Sequence, residues 1–431
     1  MKVFRDPVHG DIFLPRELVE LLDTVEMQRL RGIKQLGTAS LVYPGAVHTR
    51  FEHSLGTCYL VYELWRVLEE GGARLREEEL LALGAAALLH DVGHIPYGHT
   101  IEDERRIFGR HDGPERLRHF LGGKGDLARH LQRLGIASSV WAILQGEAPQ
   151  PWQSELISGV FCADLLDYLA RDAFFCGLSQ NYDRRILRSL RLHQGHLYLE
   201  CQKEGIVRED LVSEVINLLR LRYFLTERVF FHHTKSASGA MISKIIERAL
   251  ELGLKLEDIL PLGDERLLTL IDLRWGEDPL IRSLLQALAA RQIYKRAYVL
   301  TRRIGSLAER QLVARYHVSS ASRQAAEEEL CGLLNFKPGE LIIYCPAAEM
   351  QLKEAEVLIK IDPQGPRSLA SLKLPEVEVL REKHRNLWRF YVLVAPKRLS
   401  RLKKISQVCE RYFQLENHLP VVQSSQLYLA L

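Results

Sequence analysis

The sequence has few of the features that would assign it a class by composition alone. Its seven cysteines (Cys58, Cys162, Cys176, Cys201, Cys331, Cys345 and Cys409) contain no Cys-x-x-Cys pairing. An odd, scattered set inside apolar segments reads as buried thiols in a reducing compartment. No apolar run approaches the ~20 residues needed to span a bilayer. The first residues, Met1 to Asp6, lack the apolar core of a signal peptide, so a cytoplasmic location and no membrane partner are expected. The formal net charge is only +3, which does not by itself point to nucleic acid. Gly122-Gly123-Lys124-Gly125 lacks the Gly-Lys-Ser/Thr order and the preceding strand of a phosphate-binding loop, and reads as a mobile loop. There is no internal repeat and no long low-complexity linker. What remains is an ordinary globular composition, 47% hydrophobic and 26% charged over 431 residues, enough for two or more domains.

The chain is nevertheless rich in histidine, with 16, many of them in its first third. One stretch stands out: Leu88-Leu89-His90-Asp91-Val92-Gly93-His94-Ile95-Pro96-Tyr97-Gly98-His99. It closes an apolar helix that starts near residue 77, and Gly93 and Pro96 stop that helix. An imidazole and a carboxylate at the end of a buried helix are costly unless something compensates the charge. A divalent cation would do so.

The remaining periodicities frame this stretch. A hairpin or arm is expected over residues 1–16, a helix from about Glu17 to Leu36, a loop over 38–50, and a helix from Phe51 to Glu70 ended by Gly71-Gly72. Polar helices and loops fill 100–150. A helix is expected from about Ser154 to Ala173, a hairpin over 183–209, one or two long helices over 210–252, and further helices over 256–320. After about 335 the runs Leu341–Tyr344, Val357–Ile361 and Trp388–Val394 are β-rich, and a helix follows at 398–414. The fold class is therefore mainly α, a helical core with a smaller C-terminal α+β region. The expected domains are 1–255, a helical extension over 256–334, and 335–431.

A His-Asp pair needs further ligands from other helices. His53 lies at the start of an apolar helix and can point inward. Ile157, Phe161, Asp164 and Tyr168 form a row at helical spacing, which puts Asp164 on a buried face, with Asp167 and Asp172 nearby. Any one of these alone reads as a cap, a packed side chain or an ion pair. Together, with His94 and His99 beside a glycine-proline bend, they read as a metal centre.

At these residues the chain resembles the HD-domain metal-dependent phosphohydrolase superfamily, whose pattern His…His-Asp…Asp maps to His53, His90-Asp91 and Asp164. The stretches Arg31–Gly37, Val42–Gly56, His90–His94 and Asp164–Asp172 resemble its deoxynucleoside triphosphate triphosphohydrolase branch. The resemblance covers about residues 1–240. It implies hydrolysis of a dNTP to deoxynucleoside and inorganic triphosphate, with His53, His90, Asp91 and Asp164 as metal ligands. It implies His111 as general acid, with His94 and Glu102 beside it, and His99 toward the phosphates. Arg50 and Lys235 would bind phosphate. Arg228, sharing a helix face with Lys235, stands in for a further arginine that is absent at the matching spacing. Gln35, Leu36 and Asp172 would surround the sugar, Gln35 and Asp172 reading its 3′-hydroxyl. Tyr168 would pack on the deoxyribose and exclude a 2′-hydroxyl. His₂Asp₂ ligation suits Mn, Fe, Co, Ni or Zn, with Mg on the phosphates.

The resemblance also implies a regulatory site. Lys2, Asp23, Gln28 and Arg31 match positions that bind a guanine nucleotide between subunits, so a GTP or dGTP activator and a homo-oligomer, dimer or tetramer, are expected. The alternatives are an HD phosphohydrolase acting on another nucleotide phosphoester, and a nucleotide- or nucleic-acid-binding regulator. The basic run Lys397–Lys404 could serve the latter, although one solvated face of an amphipathic helix explains it as well.

Overall fold

The computed structural model describes residues 1–348 and 350–419. The end of the expected last domain, 420–431, lies outside the described residues. The body is helical, and its centre is the Arg50–Glu70 helix, packed against helices Glu77–Leu89 and Ala163–Phe175. Thr49 and Glu52 start the central helix with a reciprocal cap, the Thr49 backbone N–H donating to Glu52 Oε2 at 2.8 Å. Glu77, Glu78 and Glu79 crowd the first turn of the next helix, where the helix dipole favours negative charge. From Ala82 to Leu89 that helix is buried on every side, so its end delivers His90 and Asp91 into the interior.

Two expected helices are broken. The Glu17–Leu36 pattern divides into Arg16–Leu22, Val25–Gln28 and a tight turn at Arg29–Gly32. The Ser154–Ala173 pattern divides into Pro151–Ser158 and Ala163–Phe175. The cause is Gly159, where the chain turns extended at ψ −167°; a Cβ there would meet the Glu155 carbonyl oxygen at 2.5 Å. Ile157 and Phe161 therefore do not share a helix with Asp164 and Tyr168. Asp164 sits instead in the first turn of a fresh helix whose N-cap is Cys162.

The C-terminal region is not a separate appendage beginning at 335. A three-stranded sheet has Arg389–Val394 at its centre, flanked antiparallel by Leu341–Tyr344 and by Lys295–Thr301. Its second edge comes from the segment expected to be a purely helical extension. In Lys295–Thr301 five of seven residues are buried, and a strand buried on both faces loses the alternation that would have announced it. A second sheet joins the expected 183–209 hairpin to the far end of the chain. His196–Glu200 pairs in parallel with Leu358–Lys360, Leu199 opposite Ile359. All seven cysteines are buried and unbridged. Among the described residues no helix is long and apolar enough to cross a membrane.

Candidate metal centre and active site

The apolar helix ends at His90, whose Nδ1 lies 2.8 Å from the Ala87 carbonyl oxygen. That oxygen can only accept, so Nδ1 carries the proton and Nε2 is a bare lone pair. His53 Nδ1 lies 2.7 Å from Asp167 Oδ2, a carboxylate held well below its usual range by Arg171 and its histidine partners despite complete burial. In the same way Asp167 holds His53 by Nδ1 and leaves Nε2 turned toward His90 and Asp164. The two Nε2 atoms face each other at 3.2 Å. Two lone pairs repel at that distance unless a cation or a proton lies between them.

The carboxylates converge on the same point. Asp164 Oδ1 is 3.0 Å from His53 Nε2 and 3.8 Å from His90 Nε2. Asp91 Oδ1 is 3.5 Å from His90 Nε2, and Asp91 Oδ2 is 3.9 Å from His53 Nε2. Metal–ligand bonds of about 2.1 Å put adjacent ligands about 3.0–3.4 Å apart; the distances here run from 3.0 to 3.9 Å, and His53, His90 and Asp91 lie close enough together to hold a cation. Burial pulls the His53 imidazole down, but the bonds to Asp164 and Asp167 reverse this and raise it to about 10. A metal would displace that proton.

A second cluster lies beside the first. The His94 and His111 rings stack with centroids 3.4 Å apart. His111 Nδ1 is 3.0 Å from Glu102 Oε2, and Arg116 Nη1 is 3.5 Å from Glu102 Oε1. His94 Nε2 is 3.3 Å from Asp91 Oδ1, joining the two clusters. Gly93 allows this packing, since a Cβ there would stand 2.1 Å from the His111 carbonyl oxygen. Burial lowers both His94 and His111 to about 3, with Arg50 adding to the effect on His94 and His99 to that on His111. Both are neutral in this state. His94, His99, Glu102 and His111 are close enough together to hold a cation. The buried Arg50 guanidinium, which bonds Asp91 through Nη1 at 2.7 Å, already supplies positive charge there, so the cluster suits proton transfer and phosphate contact better than a second metal.

Both clusters open into one cavity of about 310 Å³. Of the expected site residues, His53, His90, Asp91, Asp164, His111, His99, Arg50, Gln35 and Tyr168 line it, and Leu117, Ile143, Leu144 and Ile157 add an apolar wall. Gln35 Oε1 is buried without a partner. Tyr168 is backed by Arg222, 5.4 Å from its ring centre. His99 is half exposed and pairs with Asp103 at 2.7 Å.

Other expected residues lie elsewhere. Leu36 is buried in the core and does not line the cavity. Asp172 is buried with Oδ1 2.8 Å from His48 Nε2. Lys235 is buried and paired with Glu104 at 2.7 Å. Arg228 does not share a helix face with it. The helix Glu209–Leu225 widens into a π-type turn at Thr226–Phe230 and restarts at His233, which leaves Arg228 exposed over the Phe224 ring. The expected regulatory residues form two small pairs. Lys2 Nζ lies 3.7 Å from Asp23, and Arg31 Nε donates to Gln28 Oε1 at 2.9 Å. In the basic run, Lys397 and Arg398 both pair with Glu340.

The sequence marks Asp167 only as a neighbour of Asp164 and gives no role to His9 or Arg171. Asp167 and Arg171 stand four apart on one helix, a legible ion pair, but nothing local marks His9 as their partner.

Residues 50–172 match the family model of the HD domain, and residues 183–423 match that of the HD associated region. An uncharacterized protein of Methanocaldococcus jannaschii is 31% identical over 306 residues, 68% of this chain and 59% of that protein. YwfO of Bacillus subtilis, also uncharacterized, is 33% identical over 256 residues, 58% of this chain and 56% of that one. The deoxynucleoside triphosphate triphosphohydrolase SAMHD1 of Mus musculus is 28% identical over 290 residues, 58% of this chain and 44% of that enzyme. The chain thus spans about half the length of these relatives. A solved phosphohydrolase from Bacteroides thetaiotaomicron superposes with a TM-score of 0.71 at 24% identity, covering 92% of this chain and 100% of that one. A hypothetical protein from Aquifex aeolicus superposes equally well, with a TM-score of 0.71 at 22% identity over 94% of this chain and 99% of that one. These two likenesses speak for the fold alone.

Proposed function

The chain belongs to the HD-domain family, with the HD domain followed by its HD associated region, and we propose that it is a metal-dependent phosphohydrolase that cleaves dNTPs to deoxynucleoside and inorganic triphosphate. The observation that carries the reading is the pair of facing imidazole nitrogens, 3.2 Å apart between two carboxylates at the wall of a cavity. His53, His90, Asp91 and Asp164 would hold the metal. A divalent cation there supplies Lewis acidity to the α-phosphate and acidifies water.

The other roles follow from position. Arg50 faces the cavity beside Asp91 and offers its guanidinium to phosphate oxygens. His111, lowered by burial, would gain basicity as a triphosphate brings negative charge beside it. It can then hold a proton for the departing 5′-oxygen, steadied by Glu102 and the stacked His94. Gln35 lines the cavity and its amide suits a sugar hydroxyl. Tyr168 walls the same space, and a close aromatic wall discriminates against a 2′-hydroxyl. Lys2, Asp23, Gln28 and Arg31 are the proposed contacts of a guanine nucleotide activator in a homo-oligomer. Asp can accept from a guanine edge and Arg can donate to it.

One observation favours a second reading. Lys235 is paired with Glu104, and Lys235 and Arg228 lie off the cavity wall, so the cations there are Arg50 and Arg110 and the two expected at the distal phosphates are not among them. A smaller nucleotide phosphoester would need fewer. The test is a substrate panel: manganese-loaded protein with each dNTP and NTP, a deoxynucleoside monophosphate and a cyclic dinucleotide, with and without GTP, products separated by anion exchange. The proposal expects deoxynucleoside from dNTPs, absent with His90→Ala and Asp91→Ala. Turnover of the monophosphate or cyclic dinucleotide alone would overturn it.

A further inference from the structure

Outside the cavity, one buried assembly links the N-terminal arm to a metal-facing histidine. Asp167 is fully buried on helix Ala163–Phe175, and all its acceptor capacity is used. Oδ2 accepts from His53 Nδ1 at 2.7 Å and from Arg171 Nε at 2.8 Å. Oδ1 accepts from Arg171 Nη2 at 2.9 Å and from His9 Nε2 at 2.6 Å. His9 belongs to the turn of the hairpin formed by Lys2–Asp6 and Gly10–Leu14. Asp6 shapes that turn. Its Oδ1 accepts the backbone N–H groups of Val8 and His9 at 2.9 and 2.8 Å, and its Oδ2 accepts from Arg171 Nη1 at 2.7 Å. Gly56, three residues beyond His53, makes room for the assembly. A Cβ there would stand 1.8 Å from Asp167 Oδ1 and 2.4 Å from Arg171 Nη2.

This is more than an ion pair needs. Arg171 alone would neutralise Asp167. The added imidazole from a residue 158 positions away fixes which carboxylate oxygen is free for His53. An ionised carboxylate only accepts, so His53 must present Nδ1–H to it and keep its Nε2 lone pair for the metal.

We infer that Asp167 and His9 are positioning residues for the metal centre: the seated N-terminal hairpin, acting through Asp167, locks His53 in the tautomer and orientation that can ligate a divalent cation. The inference rests on reading the His53 cluster as a metal site. Metal affinity becomes a property of the hairpin as well as of the four ligands. Displacing residues 6–9 would weaken binding without touching any ligand.

The test uses the full chain stripped of metal, titrated with Mn²⁺ by calorimetry, and compares wild type with Asp167→Asn and His9→Gln. An amide at 167 must turn its NH₂ toward the His53 and Arg171 Nε side or toward the His9 and Arg171 Nη2 side, and either way the lock on His53 is weakened. Loss of such an outer partner typically weakens metal binding about 10–100-fold, and that is the expected loss for Asp167→Asn. A smaller loss is expected for His9→Gln, whose amide can still donate. ¹⁵N-histidine spectra should show the His53 Nδ1–H signal shifted or lost in Asp167→Asn while the other histidine signals stay in place, a change that general loosening would not produce. If Asp167→Asn does not fold, His9→Gln decides. Wild-type affinity and an unchanged His53 Nδ1–H signal in the folded variants would overturn the inference. Absence of Mn²⁺ binding by the wild type would instead overturn the metal-site reading beneath it.

Discussion

Arg50 Nη1 and Asp91 Oδ2 lie 2.7 Å apart, both buried, so the cation that faces the cavity is anchored on a proposed metal ligand. The contact orients the guanidinium and biases Asp91 toward its charged form against the cost of burial. Arg50→Lys keeps the charge but loses the planar fork. Turnover should fall about 100-fold, in the range seen when one preorganised donor to a transition state is removed. Metal content, read by mass spectrometry, should stay near wild type. A variant with undiminished turnover would show that Arg50 does not contact the reacting phosphate.

Gly56→Ala is the smallest change that should break the centre. The added methyl meets Asp167 and Arg171, both rigidly held and fully buried. Overpacking of this kind costs about 1–3 kcal/mol, and displacement of a buried ion pair would add to it. A thermal melt should show a clear loss of stability, with Mn²⁺ failing to restore the wild-type midpoint. An unchanged midpoint would mean that the helices separate more easily than their contacts suggest.

Acid should loosen the junction between the helical body and the C-terminal sheets. Glu247 is buried among Arg105, Lys244 and Arg323, and these cations outweigh desolvation and lower its pKa from 4.5 to about 2. Because the folded value is depressed, the stabilisation is complete above about 4.5 and is lost as pH falls toward 2. Glu247→Gln leaves buried cations short of a partner, which costs about 3–5 kcal/mol at neutral pH. Urea unfolding followed across the acid range should show a steeper decline for the wild type than for the variant. Parallel curves would contradict this.

Much of the site was legible because its chemistry is local in sequence. His90 and Asp91 announce themselves by ending an all-apolar helix, and Gly93, His94 and His99 follow within one bend. What the sequence left hidden depends on distant partners. The row of Ile157, Phe161, Asp164 and Tyr168 does not exist as one helix face, because the helix that carries Asp164 begins only at Ala163, after the break at Gly159. Lys235, expected to bind phosphate, is held by Glu104, 131 positions away. Asp172 proved to be bonded to His48. The strand Lys295–Thr301 carries no alternation, because both its faces are covered, and the parallel pairing of Leu199 with Ile359 has no sequence signature at all.

The central claim is attack by water at the α-phosphorus with departure of the 5′-oxygen. Hydrolysis of a dNTP in H₂¹⁸O by the manganese-loaded protein, with products resolved by mass spectrometry, tests it directly. The account predicts unlabelled deoxynucleoside and inorganic triphosphate carrying one ¹⁸O, both lost in Asp91→Ala. Formation of a deoxynucleoside mono- or diphosphate, or ¹⁸O in the nucleoside, would contradict it.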